Sequence, residues 1–125
     1  CESLSDSVRV NHPEYDIIKL YMDAFTQYST PGGERYPDGE KGIQQRVQNG
    51  TLLMTYIGHG GERGWAHERI LDIPTILSFT NKYRLPVFLT ATCELARYDD
   101  PSYKSAGELL VMNKNGGAIR CGRFS

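Results

Sequence analysis

Two apolar runs of strand length constrain this chain more than any other feature. "TLLMTYIG" at 51–58 and "LPVFLTATC" at 85–93 are nearly continuous hydrophobic segments. Runs of that kind, unlike alternating ones, belong to strands covered on both faces, as in a parallel sheet. Between them, Pro74 followed by Ile76, Leu77 and Phe79 predicts a helix opening near residue 74. Strand, crossover helix and second strand form the unit from which parallel sheets are built. A helix over about 105–113, "SAGELLVMN", then leads through "KNGGAI" into an expected third central strand.

The rest of the chain fits the same α/β plan. Ile43 and Val47 stand four residues apart within "DGEKGIQQRVQNG", which predicts an amphipathic helix over 38–50 with Asn49-Gly50 as its stop. "STPGGERYPDGEKG" at 29–42 is rich in turn formers and reads as a loop. Ile17, Ile18, Leu20 and Tyr21 read as a short buried strand that loses regularity near Asp23. The closing "RCGRFS" turns charged where a buried strand should stay apolar, so residues 120–125 read as departing from the pattern. A start at Cys1 rather than Met reads as an excerpt, in which targeting signals are not to be sought.

Composition excludes some partners. The formal net charge is −1 and the basic residues are scattered, so the electrostatic footprint of nucleic-acid binding is missing. No apolar run approaches the roughly 20 residues of a membrane-spanning helix. Three cysteines without a CxxC pair indicate neither a disulfide framework nor a cysteine zinc site.

Chemistry concentrates at the ends of the two runs. In open parallel sheets, functional groups gather beyond the carboxyl ends of the strands. His59 follows the first run and Cys93 closes the second, and neighbouring strands lie about 5 Å apart. A thiol and an imidazole can therefore face one substrate bond, the thiolate attacking a carbonyl while the imidazole moves a proton. Gly58, Gly60 and Gly61 are expected to permit unusual φ values and the close approach of a substrate backbone. Backbone N–H groups at such a corner can stabilise an oxyanion. Metal binding is the weaker alternative, since His67 and Glu94 add no recognisable ligand spacing.

"YIGHGG" followed by a strand and "TATCE" resembles the His-Gly and Cys motifs of the gingipain-type cysteine peptidases, within the caspase-like clan. The ordered series "YMDAF", "GHGGERGWAHERIL", "TATCELARYDDP", "SAGELL" and "KNGGAI" is most similar to the surface sortases of the type IX secretion system. The resemblance spans roughly residues 12–119. It implies a caspase-like three-layer α/β/α sandwich with a mainly parallel sheet, present here only in part. It implies Cys93 as nucleophile and His59 as catalytic histidine, with the backbone N–H groups of Gly60 and Cys93 as oxyanion hole. It also implies a polypeptide substrate, the C-terminal sorting domain of secreted cargo, with transfer of the cargo to a lipopolysaccharide amine. Other type IX secretion components would be partners, the outer membrane surface the location, and no cofactor or metal is required.

Other residues compete for roles. Gly61, Trp65 and Glu94 are candidate substrate contacts, although a lone Trp more often packs a core edge and Glu94 can simply meet solvent. Arg97, Asp99 and Asp100 form a charged cluster beyond Cys93, where loops commonly define subsites. Asp23 is a candidate carboxylate for orienting His59. His12 and His67 lie in polar surroundings and read as surface residues, and Glu108 suits the start of its helix. A caspase-like module that binds a partner without catalysis is the alternative to a peptidase, and loss of His59 or Cys93 would mark it.

Overall fold

The computed structural model describes residues 2–61, 64–65, 70–92, 101–102 and 104–123. Its centre is a three-stranded parallel sheet. The outer strand is Leu53–Ile57, the middle one Val87–Ala91, and the other outer one Arg120–Arg123. In chain order the strands are β1 (Tyr28–Thr30), β2 (Gly33–Arg35), β3 (Leu53–Ile57), β4 (Gly60–Gly61), β5 (Gly64–Trp65), β6 (Leu71–Asp72), β7 (Val87–Ala91) and β8 (Arg120–Arg123). The helices are α1 (Glu2–Asn11), α2 (Pro37–Asn49), α3 (Ile73–Leu77) and α4 (Ala106–Met112). This is the α/β arrangement expected for part of a caspase-like domain. Among the described residues no helix is long and apolar enough to cross a membrane.

Local chemistry explains the helix limits. α2 begins with Pro37, whose missing N–H costs nothing in a first turn, and ends at Gly50, whose φ of +105° disfavours other residues. Asp72 caps α3 by accepting the Thr75 N–H at 3.1 Å. Ser105 and Glu108 form a reciprocal capping box on α4. The helices put Ile43 and Val47 from α2, Ile76 from α3 and Ala106 and Leu110 from α4 into one buried cluster with Phe88 of β7.

All of that packing lies on one face of the sheet. β7 alternates, with Phe88 and Thr90 buried and Val87, Leu89 and Ala91 half-buried. On β3, Met54 and Tyr56 turn inward, while Leu53 and Ile57 are about half exposed, at 50% and 53%. The expectation of strands covered on both faces is therefore corrected for β3: the described helices cover only one.

Three further expectations change. Residues 16–21 form no strand; a single 3-10 turn at Met22–Ala24 follows them. This segment is tied to α1 by the Lys19–Asp6 ion pair and by the Tyr21 hydroxyl donating to Glu2 at 2.8 Å, while Leu20 and Met22 reach the core. Part of the predicted loop at 29–42 pairs as the β1–β2 hairpin, and α2 already starts at Pro37. Finally, Arg120–Arg123 continues the fold as a third parallel strand, at the edge of the sheet beside β7. Arg120 is exposed and Cys121 buried, so an outer strand with one open face can carry charge on alternate residues.

The lead into β8 is held by Asn81, which is 3% exposed. Its side chain donates to the Gly117 and Arg84 carbonyls and accepts the Gly117 N–H at 2.8 Å. The "NGG" turn thus serves the packing of the strand's entrance, away from the carboxyl edge.

Candidate active site

The register of the parallel ladder builds the site. Ile57 at the end of β3 pairs with Ala91 at the end of β7, and the Gly58 N–H extends the ladder by donating to the Ala91 carbonyl at 3.4 Å. The two strands therefore finish level at one sheet edge. His59 stands two residues beyond β3, exposed to solvent. Thr92 stands one residue beyond β7 and is buried. Cys93 is the next residue in sequence. Cys93, Glu94, Arg97, Asp99 and Asp100 lie outside the described residues, as does His67.

Backbone and side chains from both strands hold the His59 corner. The Tyr56 hydroxyl donates to the His59 carbonyl at 3.0 Å. The Tyr56 ring stacks on Trp65, with centroids 4.4 Å apart and planes 14° from parallel. Trp65 is 2% exposed and also meets Phe88, with centroids 5.5 Å apart and planes tilted by 42°. The indole thus fills the core beneath the corner. β4 follows His59 directly and pairs antiparallel with β5, Gly60 opposite Trp65 and Gly61 opposite Gly64. Gly64, with φ of +148°, is the residue here whose backbone demands glycine, because a side chain would also run into the Leu71 carbonyl.

Gly58 and Gly60 do not use the unusual φ values expected of them. Neither has a positive φ. A Cβ at Gly58 would lie 2.5 Å from the Tyr56 hydroxyl oxygen and 2.8 Å from the carbon bearing it. A Cβ at Gly60 would lie 2.9 Å from Thr92 Cβ and 3.0 Å from its Cγ2. The missing side chains make room for the protein's own Tyr56 and Thr92. Thr92 in turn has its hydroxyl 3.3 Å from that of Thr90, which is wholly buried.

Tyr56, Thr90 and Thr92 are the residues that sequence reading missed. Inward alternation along a strand could have flagged Tyr56 and Thr90, but the approach of Thr92 to Gly60 depends on the register between strands. Asp23 is exposed on its 3-10 turn, and among the described residues nothing pairs it with His59. His12 is likewise exposed, beside Glu14 at 3.1 Å. Cys121 is buried, and burial pushes its thiol up to about 11, which suits packing and not nucleophilic attack. Among the described residues no group of three His, Cys, Asp or Glu side chains could hold a metal.

No curated protein and no solved structure matches this chain. The model of Peptidase family C25 matches residues 1–121, nearly the whole of it. A parallel sheet whose carboxyl edge presents the histidine after one strand, with a cysteine following the next, is consistent with that match. The chain belongs to peptidase family C25, the gingipain family of cysteine peptidases.

Proposed function

We propose that this chain carries the catalytic centre of a cysteine endopeptidase and transpeptidase, with Cys93 as nucleophile and His59 as catalytic histidine. The level ending of β3 and β7 is the observation that carries this reading, because it gives His59 and the residue before Cys93 one shared edge. Membership of a cysteine peptidase family supplies the reaction class.

In the proposed reaction, the Cys93 thiol gives up its proton, leaving His59 as the imidazolium, and the thiolate Sγ attacks the carbonyl carbon of the scissile bond. The oxygen takes the negative charge and is met by the N–H groups of Gly60 and Cys93. The C–N bond then breaks, the leaving amine takes a proton from the His59 imidazolium, and a thioester remains. Water attacking the thioester gives a carboxylate; an amine gives a new amide. Either outcome restores the thiol. Gly61, Trp65 and Glu94 were candidates for substrate contact; with Trp65 in the core, Gly61 and Glu94 are the ones this reading retains.

The ordered motifs from "YMDAF" to "KNGGAI" support a finer reading: a PorU-like sortase of the type IX secretion system. It would act at the outer membrane surface, removing C-terminal sorting domains from cargo and passing the acyl group to a lipopolysaccharide amine. The test is incubation of the full-length protein with cargo bearing its sorting domain, followed by mass spectrometry of both products. Wild type should release the domain, and Cys93→Ala should leave the cargo intact at an unchanged melting temperature. Cargo processing by Cys93→Ala would remove Cys93 from the reaction. Release without any acyl transfer to added lipopolysaccharide would reduce the activity to hydrolysis.

A further inference from the structure

The two proposed catalytic residues are each one position away from a single packing contact. Gly60 follows His59, and Thr92 precedes Cys93. The side of Gly60 on which a side chain would stand is filled by the Thr92 side chain, with Cβ, Cγ2 and Oγ1 at 2.9, 3.0 and 3.3 Å from where a Cβ would be. Thr92 is 7% exposed, and Thr90 beneath it is fully buried. The contact therefore joins the histidine corner to the end of β7 across the sheet, from a side chain with little room to move.

We propose that Thr92, the residue before Cys93, is a positioning residue, which holds the His59 corner against the end of β7 by packing on the backbone of Gly60. The inference rests on the peptidase reading above. Its physical basis is that a covalent neighbour transmits displacement directly. A Gly60 backbone pushed off Thr92 carries His59 with it, and a Thr92 backbone that shifts carries Cys93. Displacements near 1 Å between reacting groups cost up to about 100-fold in rate. The contact is steric: the Thr92 hydroxyl faces Thr90, so the bulk of Thr92 and not its polarity carries the effect.

Size exchange across the contact tests this in the full-length protein. The probe is a set of peptidyl acyloxymethyl ketones differing in the residue before the ketone. These alkylate a catalytic thiol, and the adduct is mapped by mass spectrometry while kinact and KI are measured separately. Gly60→Ala adds the clashing Cβ without backbone strain, since φ there is not positive; kinact should fall about 10- to 100-fold with KI little changed. Thr92→Gly should also lower kinact, and Gly60→Ala with Thr92→Gly should recover most of it. Thr92→Ala loosens the contact instead of crowding it and should give an intermediate loss. Thr92→Val, which keeps the bulk, should stay near wild type. Melting temperatures identify any variant that merely unfolds, and Thr92→Ala and Thr92→Val keep the test decisive if Gly60→Ala does so. Wild-type kinact in folded Gly60→Ala and Thr92→Ala would overturn the proposal. So would a double variant as inactive as Gly60→Ala, because Gly60 would then act through something other than Thr92. Absence of any adduct at Cys93 in wild type would instead overturn the peptidase reading, and the positioning role with it.

Discussion

Gly58→Ala should destabilise the protein through one side chain, Tyr56. The added Cβ would stand 2.5 Å from the Tyr56 hydroxyl oxygen and 2.8 Å from Cζ, contacts that real Cβ atoms do not make. Relief requires the ring to move, yet the ring lies on Trp65 at 4.4 Å, and Trp65 is backed by Phe88 at 5.5 Å. Overpacking of this kind costs about 1–3 kcal/mol. Swinging the phenol away also breaks its hydrogen bond to the His59 carbonyl, worth about 1 kcal/mol. Against this stands about 0.4–1 kcal/mol gained from reduced freedom of the unfolded chain, since Gly58 does not use positive φ. The balance is a loss of about 1–3.5 kcal/mol, a large share of the 5–15 kcal/mol that holds a typical domain folded.

Trp65 is the single tryptophan of these 125 residues and sits against the perturbed ring, so urea unfolding followed by its fluorescence reads the loss directly. Tyr56→Phe is the control, removing only the hydroxyl and costing about 1 kcal/mol. Tyr56→Leu removes both clashing atoms, so Gly58→Ala added to it should cost far less than in wild type, with a coupling of at least about 1 kcal/mol. A Gly58→Ala protein with an unchanged urea midpoint, or full additivity with Tyr56→Leu, would refute the steric account of Gly58.

His59→Ala should keep the fold, because its ring is exposed, but lose about 10²–10⁴-fold in cleavage; undiminished cargo processing by the folded variant would remove the peptidase assignment. Cys121 should resist iodoacetamide near pH 8, since burial holds its thiol at about 11. Its folded value is raised, so the stability it contributes is present below the ordinary thiol range, near 8.5, and is lost as pH rises through about 11. The limit is about 3 kcal/mol, and Cys121→Ala should flatten that alkaline limb in urea midpoints; identical limbs in both proteins would exclude it.

What the sequence made legible follows the length of its patterns. α2 shows through the i,i+4 pair Ile43 and Val47, and β3 and β7 through nearly continuous apolar runs of strand length. The sheet β4–β5–β6 has strands of two residues, too short for any period to appear. β8 is hidden because Arg120 interrupts the apolar run, although it only marks the open side of an outer strand. Residues 16–21 erred the other way: apolar content was read as a strand, but a strand also needs a partner ladder, and this segment bonds to α1 side chains. The position of His59 at a sheet edge was legible from strand ends alone. The purpose of its glycines was not, since Thr92 is 32 positions beyond Gly60 and meets it only through the β3–β7 register.

Glycines that merely cleared space for a substrate would leave a loose loop, and its ordering would have to be supplied by substrate binding. Here the gap at Gly58 is occupied by Tyr56 and the gap at Gly60 by Thr92, while the His59 carbonyl is held by the Tyr56 hydroxyl. The backbone on both sides of the histidine is therefore braced before any substrate arrives, and the imidazole itself stays exposed. A proton donor for a leaving amine needs this division: a fixed base for the side chain, so that little ordering is lost on binding, and a ring accessible to the incoming bond. In the proposed reaction Gly58 and Gly60 serve catalysis by admitting these braces, and Gly61 is the glycine kept for the substrate.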